Sequence, residues 1–320
     1  MKLKPLISGI STFVPGVNQY LVKGTGGTDS ARYCYSVWLR HLVMAKNNGL
    51  NPYPKVVVEV GPGDSLGTGL AALICGCDKY FAFDVVEHAN TESNAKIFDE
   101  LVTLFKNRTP IPGENEFPEV KPYLEKYDFP ADILDAKRLQ HALEKSRIER
   151  IRDSISDFQR NDSLIQYKVP WYHENILGEE SVDMIYSQAV LEFVDDLRGT
   201  YRAMHSWLKS TGFISHQIDF RCYFRRHAIA DEWNGHWAYS ELMWKLIKGN
   251  RPYFLNREPH STHIAILIEE GFKVVCDKTI KKESSLTIND LAPKFKSISD
   301  DDLITSGAFI QAVKKPQTNA

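Results

Sequence analysis

Two glycines and two carboxylates lie at spacings that suit the binding of a nucleoside. Glu59 lies near the end of the β-branched run Val56–Val60, and Gly61 and Gly63 follow that run directly. Glycines after a strand let the backbone approach a ligand, and the next helix presents free amide groups there. Asp84 follows roughly twenty residues later, where a carboxylate after the second strand of a βαβ unit accepts bonds from ribose hydroxyls. We therefore expect a ribose-containing cofactor at this turn.

The turn differs from a dinucleotide-binding fingerprint. That fingerprint requires a third glycine where this chain has Leu66. A nicotinamide dehydrogenase is therefore a disfavoured alternative, which an absorbance change on hydride transfer would reveal.

Three stretches in order resemble the class I S-adenosylmethionine (SAM)-dependent methyltransferases. Glu59–Gly63 matches the family's cofactor turn, Ser181–Val194 is similar to its fourth strand and the turn after it, and Leu208–Phe213 to the loop entering its fifth strand. Ser65 and Phe193 stand where the family often has glycine and histidine. The resemblance implies S-adenosyl-L-methionine as cofactor and these contact residues: Glu59, Gly61, Pro62, Gly63, Asp84, Trp171, Ser187 and Gln188.

The finer resemblance concerns the methyl acceptor. Ser215–Asp219, with Asn256-Arg257 and Gly271-Phe272, is similar to a subgroup found with bacterial polysaccharide biosynthesis. It implies a methyltransferase acting on a sugar hydroxyl of a glycan or nucleotide sugar. The alternatives are a natural product, lipid or protein acceptor, or a non-catalytic SAM-binding subunit of a partner enzyme.

A hydroxyl acceptor must lose a proton, and open α/β sheets bind ligands at the carboxyl ends of their strands. His216 and Asp219 are the candidate bases. The period of a strand places His216 on the face of Ile214 and Ile218, and Asp219 at the strand's mouth. For His216, a hydrogen-bonded core histidine is the alternative interpretation.

Further candidates surround this site. Arg221, followed by Arg225, Arg226 and His227, forms a cationic cluster for a phosphate or sugar carboxylate, with a solvated helix face as the alternative. His236 and Tyr239 could support a sugar ring, or belong to the core. Three further groups complete the set: Trp171 and Tyr172 for stacking on adenine, Glu174 for its amino group, and Thr28, Ser30, Arg32, Tyr33 and Tyr35 for a lid or a capped helix.

The elements that must position these residues alternate between strand and helix. This alternation predicts an α/β fold, a doubly wound, mostly parallel, seven-stranded Rossmann-like sheet. We expect a lid or flanking helix in residues 1–50, a SAM-binding domain in 51–106 and 162–320, and a helical insertion in 107–161. Within the insertion, 131–158 has the pattern of a charged amphipathic helix.

Composition narrows the partners. The 320 residues carry 39 basic and 41 acidic side chains, a net charge of -2, which disfavours nucleic acid. The five cysteines lack zinc or disulfide spacing, and no metal-ligand set is visible, so a metal-independent cytoplasmic enzyme is predicted. No apolar run approaches the ~20 residues of a membrane span. The expected partner is a small-molecule or glycan substrate, with the oligomeric state left open.

Overall fold

The chain folds around one seven-stranded sheet. The computed structural model describes residues 4–16, 27–158, 160, 162–171, 174–222 and 232–316. The strand order is β3-β2-β1-β4-β5-β7-β6, with β1 to β5 parallel and β7 antiparallel to both of its neighbours. The strands are β1 Val56–Val60, β2 Lys79–Phe83, β3 Ile165–Lys168, β4 Val182–Gln188, β5 Leu208–Asp219, β6 Phe272–Lys281 and β7 Thr305–Lys314. The prediction of a doubly wound, mostly parallel sheet is confirmed.

Helices cover both faces of this sheet. Those in the described residues are α1 Lys4–Ser11, α2 Ala31–Asn47, α3 Gly67–Ile74, α4 Thr91–Lys106, α5 Ala136–Ala142, α6 Lys145–Ser156, α7 Leu197–Trp207, α8 Glu241–Lys248, α9 His260–Glu269 and α10 Asp300–Ile304. Successive residues of a strand point to opposite faces. Val57 accordingly packs in the core under α2, α3 and α4, while Val58 and Val60 pack in the core under α7 and α9. The strand order reverses between β1 and β4: β2 and β3 are added on one side of β1, and β4 and β5 on the other. Such a reversal opens a crevice at the carboxyl ends of the two parallel strands.

The insertion has two helices where the sequence predicted one. Asp135 caps α5 by accepting the Arg138 backbone N–H at 2.8 Å, and the chain turns at Leu143-Glu144 before α6 begins. Arg147 of α6 donates to the Leu73 carbonyl at the end of α3. The α6 residues Ile151 and Ile155 lie in the same core as β1 and α3, so this part of the insertion is packed into the main fold.

The first helix is fastened to α8. A Cβ on Gly9 would lie 2.0 Å from the Leu246 carbonyl oxygen, so only glycine permits this approach. Arg251 donates to the Ser8 hydroxyl at 2.9 Å.

No helix among the described residues has the length and apolar character to cross a bilayer.

The free edge of the sheet beyond β7 is formed by β6. Lys273 and Lys278 on this strand are exposed. The opposite edge is the four-residue strand β3.

Candidate functional site

A cavity of about 760 Å³ lies at the carboxyl ends of β1, β2 and β4. It extends from the segment before α2 to the first turns of α7. Its walls are Thr28, Tyr33, Glu59, Val60, Gly61, Pro62, Gly63, Thr68, Phe83, Asp84, Val85, His88, Trp171, Gln188, Ala189, Val190, Phe193, Val194, Asp195, Asp196, Gly199, Thr200, Ala203, Pro252 and Tyr253. Of the eight residues proposed for cofactor contact, Ser187 alone does not line it.

The glycine turn needs glycine for conformation and for space. Gly61 has a φ of 72° and Gly63 a φ of 73°, both in the left-handed region that L side chains disfavour. A Cβ on Gly61 would also lie 2.5 Å from Cγ2 of Val190, in the turn after β4. The Gly61 N–H donates to the Phe83 carbonyl at 2.8 Å, which joins the turn to the end of β2.

Asp84 lies beside this turn, as the sequence predicted. Its carboxylate accepts the backbone N–H of Val85 at 2.7 Å and faces the N–H of Gly63 at 3.4 Å. Burial raises the pKa of Asp84, and these backbone donors oppose the rise. The carboxylate is thus held at the cavity wall with acceptor capacity remaining, because each oxygen has two lone pairs.

Glu59 is the most buried of the described acidic residues that line the cavity. It is 3% exposed, and burial raises its pKa to about 7. The Tyr80 hydroxyl donates to Glu59 Oε2 at 2.5 Å. Gly69 provides the room for that tyrosine, since a Cβ there would lie 1.9 Å from Tyr80 Cζ. Glu59 therefore titrates near neutral pH, where a bound cation would favour its charged form.

Trp171 closes the other end of the cavity. Its ring stacks on Phe83 with centroids 5.5 Å apart, and its edge meets Trp207 of α7. The backbone N–H of Trp171 donates to the backbone carbonyl of Asp84 at 3.2 Å. This places an aromatic wall next to the carboxylate proposed for the ribose. Tyr172, the neighbour predicted to share this role, lies outside the described residues, as does the side chain of Glu174.

The last two residues of β4 divide their polar side chains between cavity and core. Gln188 faces the cavity, whereas Ser187 is fully buried and bonds to His216 Nδ1 at 2.8 Å. Ala189 has a φ of 55° and is held there by its N–H bond to the Gln217 carbonyl at 2.9 Å. A non-glycine residue in this conformation is strained, and such strain clusters at functional sites.

The two candidate bases do not reach the cavity. His216 is fully buried between Ser187 and Tyr201, and burial lowers its pKa to about 3. Its position matches the alternative interpretation of a hydrogen-bonded core histidine. Asp219 is paired with Arg221, whose Nε lies 2.8 Å from Asp219 Oδ1. The geometry thus gives no support to proton removal by either residue.

Arg221 forms ion pairs with two carboxylates of the fold. Its Nη1 donates to Glu119 of the insertion at 2.6 Å while the rest of the guanidinium holds Asp219. The remaining members of the predicted cationic cluster, Arg225, Arg226 and His227, lie outside the described residues.

His236 and Tyr239 belong to a small core rather than to a sugar platform. Both are buried, and their carbonyls accept hydrogen bonds from the guanidinium of Arg257. The aromatic spacing that suggested a platform arises because this segment wraps around Arg257, which also lies 4.8 Å from the Trp244 ring.

Several cavity residues escaped the sequence prediction. Phe193 and Tyr253 meet edge to face at 6.0 Å, and His88 has a buried Nε2 without a partner. Tyr253 lies beyond α8, far along the chain from the cofactor motifs, so only the fold brings it here. Phe193 was identified as a departure from the family pattern, and that departure is the signal that could have identified it.

The insertion covers the site from the α2 side. Arg40 of α2 is fully buried and donates to the carbonyls of Pro112, Val120 and Pro122 at 2.8 to 3.1 Å. We call residues 112–122 the roof segment. Phe117 of this segment packs on the cavity residue Tyr33 with centroids 5.7 Å apart. Ser30 caps α2 by accepting the Tyr33 backbone N–H at 3.4 Å, in agreement with the capped-helix interpretation of this segment, and the lid stays a prediction.

The charge of the cavity is negative. Four acidic residues line it, and none of its described lining residues is lysine or arginine. Asp195 pairs with Lys248 at 2.5 Å, and Asp196 caps α7 through the Gly199 N–H at 2.9 Å. Glu59 and Asp84 are left to act on a ligand. Across the described parts of the chain, no three His, Cys, Asp or Glu side chains converge in a metal-binding arrangement.

No family model matches the sequence, and no curated protein matches it. Among solved structures, a SAM-dependent methyltransferase from Mesorhizobium loti aligns at 14% identity and a TM-score of 0.37, over 81% of this chain and 90% of its own. Phosphoethanolamine N-methyltransferase 2 of Haemonchus contortus, solved with SAM, gives 14% and 0.42 over 97% of this chain and 56% of its own. A chain from the complex of the Haloferax volcanii Trm112 methyltransferase activator with a candidate methyltransferase gives 14% and 0.41, over 91% and 96%.

Proposed function

We propose that this protein is a SAM-dependent methyltransferase. The observation that carries the proposal is the pairing of a glycine turn and a ribose-type carboxylate with an acidic cavity that has no lysine or arginine among its described walls. A pyrophosphate-bearing cofactor would place negative charge against Glu59 and Asp84, which costs free energy. SAM carries a sulfonium and an ammonium, and both favour such a cavity.

The chain's residues divide the cofactor between them. Gly61 and Gly63 would let the backbone approach its amino-acid end, Asp84 would accept the ribose hydroxyls, and Trp171 would pack against adenine. Glu59 lies beneath the glycine turn, where its carboxylate would lower the energy of nearby positive charge. When bound, SAM supplies an activated methyl group for in-line displacement, and its neutral thioether is the leaving group. The acceptor hydroxyl gives up its proton, and among the described cavity residues His88, whose buried Nε2 has no hydrogen-bond partner, could receive it.

The acceptor would enter between the roof segment and the aromatic pair Phe193 and Tyr253. Alignment of the acceptor with the methyl group is the main contribution expected of these walls. A sugar hydroxyl remains the proposed acceptor, and its support is the resemblance of Ser215–Asp219 and Asn256-Arg257. Those residues act structurally in the fold: Asn256, for example, donates to the Leu191 carbonyl at 2.7 Å.

Calorimetric titration tests the cofactor. We expect SAM and S-adenosylhomocysteine to bind and NAD to show no heat of binding. Saturable binding of NAD with none of SAM would overturn the proposal. Incubation with SAM and candidate glycans, followed by mass spectrometry, tests the acceptor: a gain of one methyl group on a sugar is expected, and methylation only of an amine or carbon acceptor would contradict the hydroxyl.

A further inference from the structure

A line of buried and half-buried polar side chains runs from the end of α2 to the cavity. It begins at Asn48, whose Nδ2 donates to the Met44 carbonyl at 2.8 Å and lies 2.8 Å from Gln311 Oε1. A carbonyl only accepts, so the Asn48 atom between these partners must be the amide nitrogen. Gln311 therefore turns its oxygen to Asn48 and its nitrogen to Ser215 Oγ, 3.0 Å away.

This direction determines the tautomer of His41. Ser215 accepts from Gln311, which leaves its hydroxyl hydrogen for His41 Nδ1 at 2.7 Å. Nδ1 is thus an acceptor, and the proton of a neutral imidazole must lie on Nε2. Burial lowers the pKa of His41 to about 4, so the ring is neutral at pH 7. The rings of Tyr186 and Phe309, at 5.5 and 5.4 Å, hold it in place.

The orientation of the Gln188 amide, at the cavity end of this line, is determined in the same way. Gln188 Nε2 donates to the Lys121 carbonyl of the roof segment at 3.2 Å, so its Oε1 is the end left over. Gln188 Oε1 and His41 Nε2 are both buried, and neither has a hydrogen-bond partner among the described residues. The Gln188 side chain also raises the pKa of His41 against the larger lowering by burial, which is the direction expected of an acceptor beside the imidazole.

We propose that His41 is a positioning residue that fixes the amide of Gln188 in the cavity wall through an Nε2–H to Oε1 bond. The main-chain carbonyls of Met44 and Lys121 set the direction of every bond between them. Gln188 then presents one defined orientation to the bound molecule and joins the roof segment to the sheet. The effect on ligand binding rests on the proposed function, whereas the tautomer does not.

Nitrogen-15 NMR of histidine-labelled protein tests the tautomer without any ligand. We expect the His41 signals, assigned by their absence in His41→Gln, to show a neutral ring protonated on Nε2 at pH 7. A ring protonated on Nδ1, or charged, would overturn the proposal. Ser215→Ala removes the donor to Nδ1 and should raise the population of the Nδ1–H form.

A double-mutant cycle on S-adenosylhomocysteine affinity tests the positioning. A glutamine side chain can place its amide nitrogen near the position of Nε2, and asparagine near that of Nδ1. We therefore expect His41→Asn to weaken binding about three- to tenfold, the effect of one neutral hydrogen bond, and His41→Gln to restore most of it. In a Gln188→Ala background, His41→Asn should have no further effect.

Equal weakening by His41→Asn with and without Gln188 would overturn the positioning role. If His41→Asn does not fold, Ser215→Ala replaces it in the cycle, with the same expectation. His141→Gln, on the exposed face of the insertion, is the control and should bind as the unaltered protein does. Complete absence of binding with the Nε2–H tautomer present would count against the proposed cofactor and leave the proposed hydrogen bond from His41 to Gln188 intact.

Discussion

Val190 leaves no space for a side chain on Gly61: a Cβ there would lie 2.5 Å from its Cγ2 and 2.6 Å from its Cγ1. Gly61→Ala should therefore cost more than about 2 kcal/mol, since the left-handed φ and the overlap add. Urea denaturation measures this loss, and calorimetry measures the accompanying loss of SAM binding. Gly178→Ala is the matched control, because a Cβ there meets no atom within 4 Å. An equal cost at both positions would show that the turn is not constrained as described.

Asp84→Asn should weaken SAM binding by about 1.5 to 3 kcal/mol, the range for hydrogen bonds to a charged group. The fold should persist, because the amide oxygen can replace Oδ1 as the acceptor of the Val85 N–H, and the contact that is lost, from the Gly63 N–H to Oδ2, is the long one at 3.4 Å. Titration calorimetry checks the affinity. Asp99→Asn, an exposed carboxylate of α4 paired with Arg152, should leave affinity unchanged. Unaltered binding in Asp84→Asn would remove the ribose contact from the proposal.

The raised pKa of Glu59 predicts how the free energy of unfolding depends on pH. Burial raises its pKa to about 7 in the folded protein, above its unfolded value, so the native state binds more protons between those two values. Stability should therefore fall as pH rises from about 5 to 7 and level off above it. Thermal unfolding across this range should show a smaller slope for Glu59→Gln, which cannot ionise. An identical slope in both proteins would assign the titration to other groups.

The hydrogen bonds that Arg40 donates to the roof segment should stabilise this segment. Arg40→Met leaves the carbonyls of Pro112, Val120 and Pro122 buried without their donor, which should cost about 3 kcal/mol or more. Limited proteolysis should then cleave within residues 112–122 faster than in the unaltered protein. Arg32→Met breaks an exposed pair with Glu116 and should cost less than about 1 kcal/mol. Equal resistance to protease in both variants would argue against Arg40 as the anchor.

The positions of the glycine turn and of Asp84 were predictable because their signals are local. A β-branched run, a glycine turn and a carboxylate one βαβ unit later determine where Gly61 and Asp84 must lie. The doubly wound, mostly parallel sheet followed from the alternation of strands and helices, whereas the order of its strands was not predicted. The helix α4 was missed, although Asn90 caps it by accepting the Ser93 N–H at 2.9 Å and its apolar residues repeat at helical spacing.

The acceptor side was not predictable because its contacts are long-range. Strand period placed His216 on a face but did not show that this face packs against Tyr201 and α9. His236 and Tyr239 have the residue types of a binding platform, and only the buried Arg257 reveals their structural use. Tyr253 and Phe193 come from segments about sixty residues apart, and their meeting depends on how the C-terminal half folds back.

The exposed lysines of β6 have a consequence for how copies of this protein meet. An unpaired outer strand can recruit another strand through its open N–H and C=O groups. Lys273 and Lys278 would bring like charges together if two such borders were placed side by side. This repulsion disfavours pairing of β6 with a second copy of the same strand. We therefore expect the concentrated protein to resist fibril growth through this edge.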